Sequence, residues 1–194
     1  MDKVIVKLTD EDIGLPKREL FNPITRYGAR GIVINFDGKI AVFSKTKKNE
    51  YKLPGGGLMD NETPREAFVR EILEETGCNI SRIKELGLAV EEKGQTNFRQ
   101  VSHVFQANVA NDTQELHLTD KELDEGGRVI WLPLKDAYER VLNSFDSATG
   151  SKYDDRYRTL FMIKRDALIL KYFIEHQSND ADLSGKGMQY YQKK

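Results

Sequence analysis

The chain has 194 residues, 39% of them hydrophobic, and its 30 Lys plus Arg against 31 Asp plus Glu give a formal net charge of -1. That length buries one sizeable core rather than two ordinary domains, and the near-neutral balance excludes a dedicated nucleic-acid binder. No apolar run approaches the roughly 20 residues that span a bilayer or forms a secretory signal, so no membrane partner and a cytoplasmic location are expected; the single Cys78 excludes an internal disulfide framework, and His103, His117 and His176 are too scattered for a zinc site.

Taken in chain order, residues 1–22 read as an N-terminal extension. Two β-rich runs, 27–36 and 39–45, flank Asp37-Gly38, a dipeptide suited to a tight hairpin. A helix follows at 64–76, and strands are expected at 86–91, 101–110 and 128–132. Helices close the chain at 134–142 and 154–176, ahead of a polar tail from Ser178. Strands and helices alternate without internal repeats, which points to a layered α/β fold. The division expected is an extension (1–22), one central domain (23–150) and a C-terminal helix with its tail (151–194).

The helix at 64–76 is bounded by its own chemistry. Thr63 is an N-cap, Pro64 occupies the first helical position, and Glu66 completes a capping box. Gly77 supplies the left-handed residue that ends it. At about 100° per residue, Glu71, Glu74 and Glu75 share one arc, with Val69, Ile72 and Leu73 opposite and facing the core. Three like charges so spaced repel one another. Alone they read as a solvated face; a hard cation that takes oxygen ligands, such as magnesium, would explain them otherwise.

The surrounding spacing decides between these readings. Gly56 is followed after five residues by Glu62, and after seven more by Arg70-Glu71-Ile72-Leu73-Glu74-Glu75-Thr76-Gly77-Cys78, with Leu53-Pro54-Gly55-Gly56 leading in. This pattern resembles the box of the Nudix (MutT-like) hydrolases. Cys78 departs from it, standing where the family usually has a larger aliphatic residue. The resemblance implies an α-β-α sandwich with a mixed sheet, here with a C-terminal helical extension. It also implies that Arg70 braces Glu62 and orients Glu71, and that Glu71, Glu74, Glu75 and the Gly55 carbonyl hold Mg2+, or Mn2+ in its place. Gly55-Gly56-Gly57 lacks the Gly-Lys-Ser/Thr ending of a P-loop and reads as a turn that lets the backbone approach the metal.

Enzymes of the family hydrolyse a nucleoside diphosphate linked to another group, so the resemblance implies water attack at phosphorus of a nucleotide-type substrate. A general base is needed. Glu71 is the first choice; of the carboxylates Glu115, Glu122, Asp124 and Glu125, Glu122 or Glu125 would be an extra ligand or base, or the segment is an ordinary acidic turn. The subfamily markers for ADP-ribose, dinucleoside polyphosphates and coenzyme A are absent, which leaves a nucleoside triphosphate or a nucleotide sugar. Arg30 and Arg99 are candidate phosphate contacts, and Phe98 or Tyr27 candidates to stack on a base. The alternative is a Nudix-fold module that senses nucleotides or binds protein without turnover; such modules typically lose box glutamates, and this chain keeps them.

On the last helix, Leu160, Ile163, Ala167, Leu170 and Ile174, widened by Phe161 and Leu168, form an apolar stripe, with Lys164, Arg165, Asp166 and Glu175 at polar positions. The stripe is expected to cover its own domain. The alternative is a homodimer contact, with Tyr190 and Tyr191 of the tail docking on a partner.

Overall fold

A computed structural model of the chain describes residues 3–113, 115–150 and 155–183, with side chains described as far as His176. Its elements are β1 (Val4–Leu8), β2 (Ile24–Ile34), β3 (Ile40–Lys45), β4 (Glu50–Lys52), β5 (Gly55–Gly57), α1 (Pro64–Thr76), β6 (Cys78–Lys93), β7 (Phe98–Asp112), α2 (Asp120–Asp124), β8 (Gly127–Leu132), α3 (Leu134–Asn143) and α4 (Arg156–Leu183). The strands form one sheet in the order β1-β6-β7-β2-β3-β4, with β5 on β2 and β8 on β3. Two of its pairings, β1 with β6 and β2 with β7, are parallel, and the others are antiparallel.

The first hairpin turns at the expected place. Asn35 organises it: its side-chain oxygen accepts from the Asp37 and Lys39 amides, and Gly38 takes φ 73°. β2 ends two residues short of the predicted run, leaving Phe36 exposed in the turn. β2 and β3 share only the Ile34–Ile40 position before they diverge, β2 toward β5 and β3 toward β4 and β8.

Both faces of the sheet are covered, so adjacent residues of one strand enter different cores. Val33 and Phe105 pack with Ala67, Phe68 and Ile72 of α1; Ile32 and Val104 pack with Ala137 and Val141 of α3 and with Phe161, Ile163 and Leu170 of α4. The result is the expected α-β-α sandwich with a mixed sheet. Residues ahead of the hairpin contribute β1, which pairs in parallel with β6.

The capping box of Thr63 with Glu66 and the left-handed Gly77 are both present on α1. Its core face differs from the predicted one. Phe68, Ile72 and Glu75 lie within about 60° of arc, so the arc that buries Phe68 and Ile72 also buries Glu75, while Val69 is exposed. The carboxylates therefore stand at the margin of the core, beside β5, instead of facing solvent together.

In α4, Leu160, Ile163, Ala167 and Leu170 are buried within the chain, and the helix continues past the predicted end to Leu183. Arg165 and Asp166, read as polar positions flanking the stripe, are buried too. Tyr190 and Tyr191 lie outside the described residues. No described helix is long and apolar enough to cross a membrane.

Candidate active site

Pairing of β5 with β2 sets Gly55 opposite Arg30 and Gly57 opposite Gly28, and α1 packs on the same segment. The glycines are demanded by space: a Cβ on Gly56 would strike the Glu71 carboxylate, and Gly55 has φ 136° with the β2 backbone against it.

Arg70 organises the first carboxylates. Its Nε and one terminal nitrogen bind both oxygens of Glu62 at 2.8 and 2.9 Å, and the same terminal nitrogen donates to the Gly57 carbonyl at 3.0 Å. The other donates to Glu71 at 2.9 Å and Glu74 at 3.1 Å. The hydrogen bond from Arg70 holds the Glu62 carboxyl below its ordinary range. One guanidinium thus joins three carboxylates and the loop.

Glu75 points the other way. The Gly55 amide donates to it at 2.8 Å and Lys52 Nζ lies 2.5 Å away; Lys52 also donates to the Gly55 carbonyl at 3.5 Å. Burial pushes the Glu75 carboxyl up to about 7 against the pull of Lys52. Glu122, at the third position of α2, accepts from the amide and hydroxyl of the N-cap Thr119, and its charge helps raise the Glu75 carboxyl. Glu125 instead turns inward, buried against Lys45 at 2.8 Å. Glu115 is exposed.

The donor set suits a hard divalent cation: three carboxylates within about one turn of helix and a backbone carbonyl, all oxygen. Among the described residues, no three carboxylate or imidazole groups converge in metal-binding geometry. Glu71 and Glu74 lean on Arg70, and the Lys52 ammonium stands between two of the expected ligands, Glu75 and the Gly55 carbonyl.

From β5 a cavity of about 380 Å³ extends along the α4 face of the sheet. Eight of its lining side chains are lysine or arginine, and none of the described ones is acidic. Strand alternation selects them. On β2, Arg26 and Arg30 face the cavity and Tyr27 does not; on β7, Phe98 and Gln100 face it and Arg99 does not, pairing instead with Glu92 at 3.5 Å beside the N-terminal segment. Tyr27 and Arg99 are therefore not brought to the site, whereas Arg30 and Phe98 are.

Lys52, Lys93, Arg158 and Arg165 also line the cavity and escaped the sequence reading. For Arg165 the sequence carried a faint signal, a charged pair with Asp166 set among the apolar residues of the stripe. The pair closes a buried network: Arg165 donates to Asp166 at 2.7 Å and Glu91 at 3.0 Å, Lys93 lies 3.1 Å from Glu91, and the Leu53 amide donates to Asp166 at 3.0 Å. This ties α4 to the segment that leads into β5.

The profile of the NUDIX domain matches residues 24–152, a span that holds the braced carboxylates and most of the sheet. The chain belongs to the Nudix family. Over 56 residues it is 36% identical to an RNA pyrophosphohydrolase of Hydrogenovibrio crunogenus, a match covering 29% of this chain and 34% of that one. It is 31% identical over 65 residues to a MutT-like protein of Streptomyces ambofaciens, covering 34% and 42%. The chain thus spans less than half the length of these two Nudix relatives. A NUDIX hydrolase from Nitrosomonas europaea shares the fold, with a TM-score of 0.55 over 86% of this chain and 97% of that one at 15% identity.

Proposed function

We propose that this Nudix chain is a Mg2+-dependent pyrophosphohydrolase, with Mn2+ able to substitute, that cleaves a phosphoanhydride bond of a nucleoside triphosphate or nucleotide sugar of the cytoplasmic pool. The observation that carries this reading is the juxtaposition of the Arg70-braced carboxylates with a cavity lined by cations and by no described acid. The pyrophosphohydrolase named in the Hydrogenovibrio relative accords with it.

Glu71, Glu74, Glu75 and the Gly55 carbonyl would hold the metal. When bound, such an ion neutralises phosphate charge and sharpens the acidity of water. The protein's own groups do the rest. Arg70 keeps Glu71 in place through Oε1, leaving Oε2 as the oxygen to take a proton from the attacking water. Arg26, whose guanidinium lies beside Gly57, offers donors to phosphate oxygens next to β5. Glu122, whose charge acts on Glu75, is the extra carboxylate of the site.

The test is incubation of the full chain with nucleoside triphosphates and nucleotide sugars in Mg2+, with products resolved by ion exchange and oxygen-18 water used to locate the attacked phosphorus. Release of a nucleoside monophosphate, abolished by EDTA, is expected. No turnover of any nucleotide, or turnover indifferent to EDTA, overturns the reading.

A further inference from the structure

At the inner end of the cavity two guanidinium groups are buried together without enough negative charge. Arg165, with 5% of its side chain exposed, spends Nε on Asp166 and one terminal nitrogen on Glu91. Its second terminal nitrogen is buried without a hydrogen-bond partner. Arg30, 7% exposed, donates Nε to Ser102 Oγ at 3.2 Å, a neutral acceptor. Lys93 and, two turns before Arg165 on α4, the exposed Arg158 also line the cavity. The two carboxylates among these four cations, Glu91 and Asp166, sit behind the cavity wall and are already engaged by Arg165 and Lys93.

We propose that Arg30, Lys93, Arg158 and Arg165 form a second anion subsite that binds a phosphate of the substrate beyond the two joined by the anhydride that is cleaved. An unpartnered buried donor is costly unless a ligand supplies the acceptor, and forked guanidinium donors match the oxygens of a phosphate. Burial, and then repulsion from Arg165, bring Arg30 down to about 10, which marks the same charge surplus. A sugar hydroxyl supplies no charge to offset it.

Placement sets which phosphate this is. Arg30 lies directly opposite Gly55 in the β2–β5 pairing, so an anion on Arg30 neighbours one on the Gly55 loop. A nucleotide sugar has only the two phosphates of its anhydride; a nucleoside 5′-triphosphate, free or at the end of an oligonucleotide, has a third. The subsite therefore selects the triphosphate of the two substrate classes. Arg158 and Arg165 come from α4, beyond the residues matched by the family profile, so the C-terminal helix supplies selectivity that the Nudix box does not.

This inference uses the hydrolase reading only to name the whole substrate, and its test separates the two. The first measurement is calorimetric titration of the full chain in EDTA with inorganic tripolyphosphate. Arg158→Gln, at an exposed position, and Arg30→Lys, which keeps the charge but loses the fork, each weaken binding about tenfold or more, with folding checked by thermal melts. Unchanged affinity in both folded variants overturns the subsite. The second is the ratio of kcat/KM for a nucleoside triphosphate to that for a nucleotide sugar. It falls about tenfold in Arg158→Gln, through a raised KM for the triphosphate; an unchanged ratio also overturns it. Weakened tripolyphosphate binding in a chain that hydrolyses no nucleotide would support the subsite and reject the hydrolase.

Discussion

The Lys52 ammonium lies 2.5 Å from the Glu75 carboxylate and also reaches the Gly55 carbonyl, so an internal cation spans two of the oxygen donors proposed for the metal. The pair is buried, and Glu75 holds the Lys52 ammonium above its ordinary range against the effect of Lys52's own burial. Metal entry at this proposed site would have to move Lys52 aside. Replacing it by Met leaves Glu75 without its ammonium, a loss of about 3 kcal/mol in the range typical of broken buried pairs. Lys52→Met should therefore melt lower than wild type in EDTA, bind Mn2+ more tightly by electron paramagnetic resonance titration, and recover most of its stability when Mn2+ is added. Equal Mn2+ affinity in the two proteins would show that Lys52 does not compete.

Arg70 makes five hydrogen bonds to Glu62, Glu71, Glu74 and Gly57. Arg70→Ala leaves three carboxylates facing one another without their common partner. A stability loss of about 2–4 kcal/mol by urea unfolding is expected, together with a rate loss that added Mg2+ does not fully reverse. Arg70→Lys should recover charge but not the bidentate hold on Glu62, and so fall between the two. A fully active Arg70→Ala protein would remove the bracing role.

Acid stability depends on Glu91. Burial opposes its ionisation, but Arg165, Lys93 and Arg30 outweigh that effect and hold the carboxyl down at about 2. A carboxyl lowered on folding contributes its full stabilisation above the unfolded value of about 4.3 and loses it as pH falls toward the folded value. Wild type should therefore exceed Glu91→Gln in melting temperature at pH near 6, with the gap closing between pH of about 4.5 and 2. A gap that stays constant across that window would show that the ion pairs do not carry the difference.

Much of this architecture is legible in the amino-acid sequence. The limits of α1 follow from Thr63, Pro64, Glu66 and Gly77, all local signals, and the Arg70–Glu62 contact spans only eight residues. What escaped depends on distant partners. Arg165 meets Glu91 across 74 positions and Asp166 meets the Leu53 amide across 113, so on the helix alone they read as solvent-facing charges. Arg99 and Tyr27 failed for a related reason: period-2 alternation separates the two faces of a strand without saying which face carries the cavity. Glu75 shows the converse. Its place in the arc of Phe68 and Ile72 was present in the helical wheel, but a carboxylate at a core position becomes intelligible only when Lys52 and the Gly55 amide are seen beside it.

The proposed catalysis turns on Glu75, and Glu75→Gln compared with wild type at saturating Mg2+ tests it most directly. Gln fills the same space and can still accept from the Gly55 amide, but it leaves the buried Lys52 ammonium without its counter-charge, so a stability loss of about 3 kcal/mol is expected while circular dichroism at the assay temperature stays near that of wild type. Hydrolysis of the best nucleoside triphosphate should fall by about two orders of magnitude or more, because charge at the reacting phosphates is then poorly offset. A folded Glu75→Gln protein with wild-type kcat would contradict the assignment of the Nudix box as the hydrolytic centre of this chain.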